Sequence, residues 1–292
     1  MAGVWLVLTM VLLIPRALPA QAPSAPLIPS TPRVEVVRIP GSVPEPRQAV
    51  VLLPADYAGS ARRYPVLYLL HGLWGSHRDW IGRTNLVEYT ADLPLIVVLP
   101  DAGDSWYTNS ATDEKQRFED YIGRDVVAYV DAHYRTLPYP QARYVAGLSM
   151  GGYGAVKLGI RNPRTFSLAA SFSGAFGYLE REGVESIEAA FGPRGSEARV
   201  ANDVATLLRA VEPGAIAALP YIYLDCGTSD ALLADNRRLA ALLHERGARY
   251  EYHEVAGRHE WEYWDRRLPH VLALIAARID SLVASRTPAT RH

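Results

Sequence analysis

Short apolar runs recur along this chain, separated by polar, glycine-rich and proline-rich stretches. Val34–Ile39 and residues 49–53 read as strands, with Pro40-Gly41-Ser42 as a turn between them. Residues 64–70, 95–99 and 144–146, then Leu168–Phe172, residues 221–224 and Tyr250–Val255, read as further strands. Most of these runs lack the alternation of apolar and polar positions, which is the pattern of strands covered on both faces. Helical spacing lies between them. In residues 120–134, Ile122, Val126, Val130 and Tyr134 fall at i+4 steps and make one apolar stripe. Residues 155–160, 231–246 and 261–284 also read as helical, with Gly247 as the stop of the third helix. The alternation predicts an α/β fold: a mostly parallel central sheet with helices on both faces. Residues 176–219 have weaker periodicity and several glycines, which suggests a cap or an excursion beside a site.

One stretch carries a chemical signal. A buried strand end, Tyr144-Val145-Ala146, runs into Gly147-Leu148-Ser149-Met150-Gly151-Gly152, and a helix follows. In that strand–turn–helix context, G-x-S-x-G is a turn that holds a serine hydroxyl clear of the backbone. A phosphate-cradling loop is a poor fit, because no Lys-Ser or Lys-Thr pair follows the glycines.

A serine hydroxyl needs an adjacent base to act as a nucleophile. His259, in Gly257-Arg258-His259-Glu260-Trp261 just after the last strand, is the candidate base. Of the other histidines, His244 and His270 lie in helices, His253 lies inside a strand, His71 comes too early in the chain, and His77, His133 and His292 have no comparable setting. Two carboxylates, Asp225 and Asp230, follow the strand that ends at Leu224. Asp230 lies farther out and is better placed to reach the next loop, although aspartate is also a favoured helix cap. The candidate triad is therefore Ser149, Asp230 and His259, with Asp225 as the second choice for the acid. Backbone N–H groups of Leu73, in the His71-Gly72-Leu73 loop, and of Met150 are the candidate oxyanion donors. Trp74, Trp106 and Trp261 lie in or near site-facing loops. They are candidate substrate contacts, with loop packing as the alternative role.

Composition narrows the partners. The chain has 292 residues, about half of them hydrophobic, and a formal charge of −1. Nothing in that balance suggests nucleic acid or an anionic membrane surface as a partner. A single cysteine, Cys226, cannot form an intrachain disulfide, and no Cys/His cluster suggests a metal, so no cofactor is expected. The apolar, uncharged stretch from Ala2 to Pro15, followed by Ala20-Gln21-Ala22, reads as an export signal over residues 1–22, cut after Ala22. No Lys or Arg precedes that stretch, and it is too short for a confident membrane span. Residues 23–33 read as a proline-rich linker and residues 285–292 as a polar tail. Oligomeric state is left open.

These residues resemble the esterase D/antigen 85/feruloyl esterase superfamily, and within it the tributyrin-esterase and carbohydrate-esterase branch. The resembling pieces are Leu70-His71-Gly72-Leu73-Trp74-Gly75 with Trp80, Asp104-Ser105-Trp106-Tyr107-Thr108-Asn109 and the Ser149 elbow through Gly154. Phe172-Ser173-Gly174, Cys226-Gly227-Thr228-Ser229-Asp230 and Gly257-x-His259-x-Trp261-x-x-Trp264 complete the set. The resemblance implies an α/β-hydrolase domain over residues 34–284. It also implies hydrolysis of small-molecule or carbohydrate esters by a serine, with Asp230 favoured as the acid. Acyl transfer to a sugar or cell-envelope acceptor, and a silent glycan-binding module on the same scaffold, are the alternatives.

Overall fold

The computed structural model describes residues 26–29, 31 and 33–284. The leader expected over residues 1–22, residues 23–25, 30 and 32 of the linker and the tail of residues 285–292 lie outside the described residues. Eight strands form one sheet: β1 (Val34–Ile39), β2 (Arg47–Leu52), β3 (Val66–Leu70), β4 (Ile96–Pro100), β5 (Arg143–Leu148), β6 (Leu168–Phe172), β7 (Tyr221–Gly227) and β8 (Tyr250–Val255). Their order is β1-β2-β4-β3-β5-β6-β7-β8. The β1–β2 and β2–β4 pairs are antiparallel, and every later pair is parallel.

The helices are α1 (Asp79–Arg83), α2 (Leu86–Tyr89), α3 (Phe118–Asp120), α4 (Val127–His133), α5 (Met150–Arg161), α6 (Glu185–Phe191), α7 (Glu197–Asn202), α8 (Val204–Ala210), α9 (Leu233–Glu245) and α10 (Trp261–Ala284). Side chains alternate across each strand, and this splits the core in two. Val66, Tyr68 and Leu70 of β3 join one apolar cluster with Ile122, Val126 and Val130, Val156 of α5 and Leu243 of α9. Leu67 and Leu69 join the other, with Trp80, Leu86 and the α10 residues Leu268, Leu272 and Ile275. Both faces of the central strands are therefore buried, which is why their sequences are apolar throughout.

Some elements depart from the sequence reading. Ile122, Val126 and Val130 of the 120–134 stripe are buried, but Tyr121–Val126 winds as a π turn, and Tyr134 is a half-buried, extended residue that ends α4. Strand β7 continues past Leu224 to Gly227 and carries Asp225 inside the sheet. That charge is tolerated because Asp225 accepts hydrogen bonds from Tyr223 Oη, Tyr263 Oη and Arg267 Nε. The ambiguous stretch of residues 176–219 contains α6, α7 and α8, and Ile187, Phe191, Val204 and Leu208 join the core from it. Among the described residues, no helix is long and apolar enough to cross a membrane.

Candidate active site

Ser149 is where β5 ends and α5 begins. Its backbone is left-handed (φ 53°, ψ −117°), a conformation that costs a non-glycine residue on the order of 1–3 kcal/mol. Three hydrogen bonds hold it there: Ser149 N–H to the Phe172 carbonyl (2.9 Å), Tyr153 N–H to the Ser149 carbonyl (3.0 Å) and Ala175 N–H to the same carbonyl (3.1 Å). The turn also needs close backbone approach. A Cβ on Gly147 would lie 2.5 Å from the Gly151 carbonyl, and one on Gly151 would lie 2.5 Å from the His71 carbonyl oxygen. Side chains at either position would force the strand, the helix and the His71 loop apart.

His259 and Asp230 reach Ser149 from the two loops that follow β8 and β7. His259 Nε2 lies 3.0 Å from Ser149 Oγ, and His259 Nδ1 lies 2.9 Å from Asp230 Oδ2. Backbone bonds lock the two loops together: Thr228 N–H to the Val255 carbonyl and Ser229 N–H to the Gly257 carbonyl, both 2.9 Å. Both carboxylate oxygens of Asp230 are engaged, although the residue that caps α9 is Leu232, not Asp230. Its Oδ1 accepts the Leu232 N–H (2.8 Å) just before α9, while Oδ2 faces the imidazole. Burial pushes the Asp230 carboxyl up. The hydrogen bonds from His259 and Leu232, the His259 charge and the Ser173 hydroxyl more than offset it, so the group sits below the ordinary aspartate range. Its side chain is fully buried, whereas that of His259 is 36% exposed. In this arrangement the carboxylate can hold the Nδ1 proton and the imidazole can take the serine proton. Asp225 does not approach His259 by any described hydrogen bond; Tyr223, Tyr263 and Arg267 occupy it.

A cleft of about 990 Å³ opens over Ser149, lined by Gly72, Leu73, Trp74, Asp104, His259, Trp261 and Trp264, and by Tyr178, Val184, Ser186 and Ala189 from the cap segment. The Leu73 N–H lies in the loop after β3, and the Met150 N–H opens α5, in the first turn where helix N–H groups have no intrahelical acceptor. Of the candidate aromatic contacts, Trp74 is 86% exposed. Trp261 forms part of the cleft wall, edge-on to Trp80 and Trp264. Trp106 is 1% exposed, packed against Tyr153, Tyr178 and Phe191, and its Nε1 donates to Ser186 Oγ (3.1 Å). It also belongs to the wall, but its ring is largely occupied by protein neighbours.

Sequence reasoning passed over Ser173 as an individual site residue, took Trp264 only as one of the aromatics in or near site-facing loops, and set His71 aside. Ser173 is left-handed (φ 50°), its hydroxyl helps to lower the Asp230 pKa, and it accepts from Trp264 Nε1 (3.2 Å). The Trp264 ring meets the His259 ring edge-on at 4.9 Å. Their only signal in the sequence was membership of the Phe172-Ser173-Gly174 and Trp261-x-x-Trp264 motifs.

A nucleophile elbow on a mostly parallel sheet, with imidazole and carboxylate in line, places the protein among the α/β-hydrolases. The family model "Esterase: Putative esterase" matches residues 41–275, and the chain belongs to that family: it is a serine carboxylic-ester hydrolase. It is 29% identical over 216 residues to an acetyl esterase of Caldicellulosiruptor saccharolyticus, covering 68% of this chain and 79% of that one. An esterase of Mycobacterium tuberculosis is 39% identical over 131 residues, 42% of this chain; the match spans only 28% of that longer protein. Among solved structures, the fluorophosphonate-binding serine hydrolase F of Staphylococcus aureus superposes with a TM-score of 0.74 at 24% identity, covering 83% of this chain and 97% of that one. A ferulic acid esterase superposes with a TM-score of 0.73 at 23% identity, covering 84% and 97%.

Proposed function

We propose that Ser149, His259 and Asp230 are nucleophile, base and orienting acid in ester hydrolysis through a covalent acyl-enzyme. The observation that carries this reading is one imidazole bridging the Ser149 hydroxyl and the buried Asp230 carboxylate at 3.0 and 2.9 Å. His259 Nε2 takes the proton as Ser149 Oγ attacks the ester carbonyl. Leu73 and Met150 N–H groups hold the oxyanion. The tetrahedral adduct collapses, His259 returns the proton to the departing alcohol, and Ser149 is left acylated. Water then attacks the acyl carbonyl by the same route, releasing the acid and restoring the serine.

The substrates in this reading are short acyl groups on a sugar or a simple alcohol. The acetyl esterase name of one relative supports a short acyl group. The exposed Trp74 ring on the cleft is a flat surface on which a sugar or aromatic ring can stack. Export is also part of the proposal, resting on the 1–22 sequence pattern and checked by N-terminal sequencing of the mature protein. The decisive experiment is Ser149→Ala. It should lower turnover of p-nitrophenyl acetate on the order of 10⁶-fold and abolish labelling by a fluorophosphonate. A variant retaining a tenth of the activity would remove Ser149 from the chemistry. A panel of acetyl, butyryl and feruloyl esters on sugars and simple alcohols then ranks the substrates.

A further inference from the structure

His71 lies two residues before Leu73 and is buried. Both ring nitrogens have partners. The Ala102 N–H donates to Nε2 at 3.0 Å, so Nε2 carries no proton. Nδ1 therefore carries it and donates to the Gly72 carbonyl at 2.8 Å. Burial, the largest influence, pushes the imidazole pKa down in spite of the Gly72 contact and the carboxylates of Asp101, Asp79 and Asp104, which keeps the ring neutral. With both nitrogens engaged, the ring has no lone pair or proton to spend on a substrate.

The Gly72 carbonyl belongs to the same peptide unit as the Leu73 N–H. That unit is trans, so the two groups point in opposite directions and fixing one fixes the other. The same carbonyl takes the Gly75 N–H at 3.1 Å, closing a turn in which Trp74 is left-handed at φ 59°. The next peptide unit is also held, because the Trp74 N–H donates to Asp104 Oδ1 at 2.7 Å. The peptide unit on each side of Leu73 is thereby anchored. A Cβ built on Gly72 would lie 3.5 Å from Ser149 Cβ, so the anchored backbone adjoins the serine itself.

We propose that His71 is a positioning residue for the reaction: its Nδ1–H grips the Gly72 carbonyl and thereby aims the Leu73 N–H at the oxyanion formed on Ser149. The inference rests on the reading of Leu73 as an oxyanion donor, and the test separates the two. Asparagine places an amide nitrogen near the position of Nδ1, whereas glutamine reaches toward Nε2 and the Ala102 N–H. His71→Asn should stay within about tenfold of the parent kcat, and His71→Gln should lose about 10²-fold with KM little changed, the scale of a misaimed catalytic group. A trifluoromethyl ketone, which forms a tetrahedral oxyanion adduct on the serine, should lose affinity for the glutamine variant in proportion to the loss in kcat/KM. Leu73→Pro removes the N–H itself at a turn position that suits proline, and should lose about 10²–10³-fold. Full activity in Leu73→Pro would overturn the oxyanion reading. Loss in Leu73→Pro with equal losses in the two His71 variants, or with unchanged ketone affinity, would overturn the role of His71 and leave Leu73 standing.

Discussion

Replacing each candidate acid by asparagine separates chemistry from stability. In Asp230→Asn the amide oxygen can still accept the Leu232 N–H, now at 2.8 Å, so the start of α9 keeps its hydrogen bond. The amide NH₂ then faces His259 Nδ1, where the carboxylate oxygen stood at 2.9 Å. A donor at that position selects the tautomer with its proton on Nε2, toward Ser149 Oγ, and the imidazole no longer accepts the serine proton. The corresponding change in another serine hydrolase lowers kcat about 10⁴-fold, and a similar loss is expected here, with stability changed by about 1 kcal/mol or less. Asp225→Asn should do the opposite. It leaves Arg267, which is 7% exposed, without its carboxylate. Breaking a buried pair from one side costs about 3–5 kcal/mol, which for a domain of this size lowers Tm by about 6–20 °C. The assays are p-nitrophenyl acetate turnover, measured well below either Tm, and thermal unfolding by circular dichroism. If Asp225→Asn loses more turnover than Asp230→Asn while both are folded, the acid is Asp225 and the hydrogen-bond argument is wrong.

Trp74→Ala removes an 86% exposed ring, so stability should change by no more than about 0.5 kcal/mol while KM for sugar or aryl esters rises; unchanged KM across the ester panel counts against substrate stacking. Trp106→Ala removes a ring packed against Tyr153, Tyr178 and Phe191 and should cost about 3–5 kcal/mol, so a melting curve matching the parent would contradict its packing role. Gly151→Ala places a methyl 2.5 Å from the His71 carbonyl oxygen; a soluble variant with parent activity would show that this close approach is dispensable. Burial pushes the Glu119 carboxyl up, but Lys157 and Arg161 bring it net below its ordinary value of 4.5, whereas burial pulls Lys157 itself down to about 8. The Glu119 charge therefore stabilises the fold above pH 4.5, and that contribution is lost as the pH falls through the lower folded value. Glu119→Gln should show a shallower acid-side fall in Tm, and parallel curves would argue against the linkage.

What could be read from the sequence was what is decided locally or by burial on both faces. The continuous apolar runs located the strands because β3, β4, β5 and β6 are covered on both sides. The Ser149 elbow was legible because its strand, turn and helix are contiguous in the chain and one of its close approaches, Gly147 against Gly151, lies inside the motif, whereas the approach of Gly151 to the His71 carbonyl oxygen does not. The cap was not legible for a physical reason. Helices α6, α7 and α8 have 7, 6 and 7 residues, about two turns each, so a 3.6-residue period has little room to repeat. Distant contacts hold them instead: Trp106 Nε1 to Ser186, and Tyr153 Oη to the Asn202 carbonyl at 2.7 Å.

The same distinction explains the choice between the two aspartates and the oversight at His71. Asp225 looked available because the pattern ends its strand at Leu224, yet the donors that satisfy its buried carboxylate, the Tyr263 hydroxyl and the Arg267 guanidinium, lie about forty residues later on α10. A reading along one strand cannot see such partners, so it leaves a buried ion looking like a free one. His71 is the converse case. Judged only as a base, it is disqualified by its place in the chain, and its ring contacts, to Gly72 and to Ala102 across 31 residues, leave no trace in residue spacing. A histidine beside an oxyanion loop therefore invites a second question after its fitness as a base: which carbonyl it holds, and which N–H lies at the far side of that peptide.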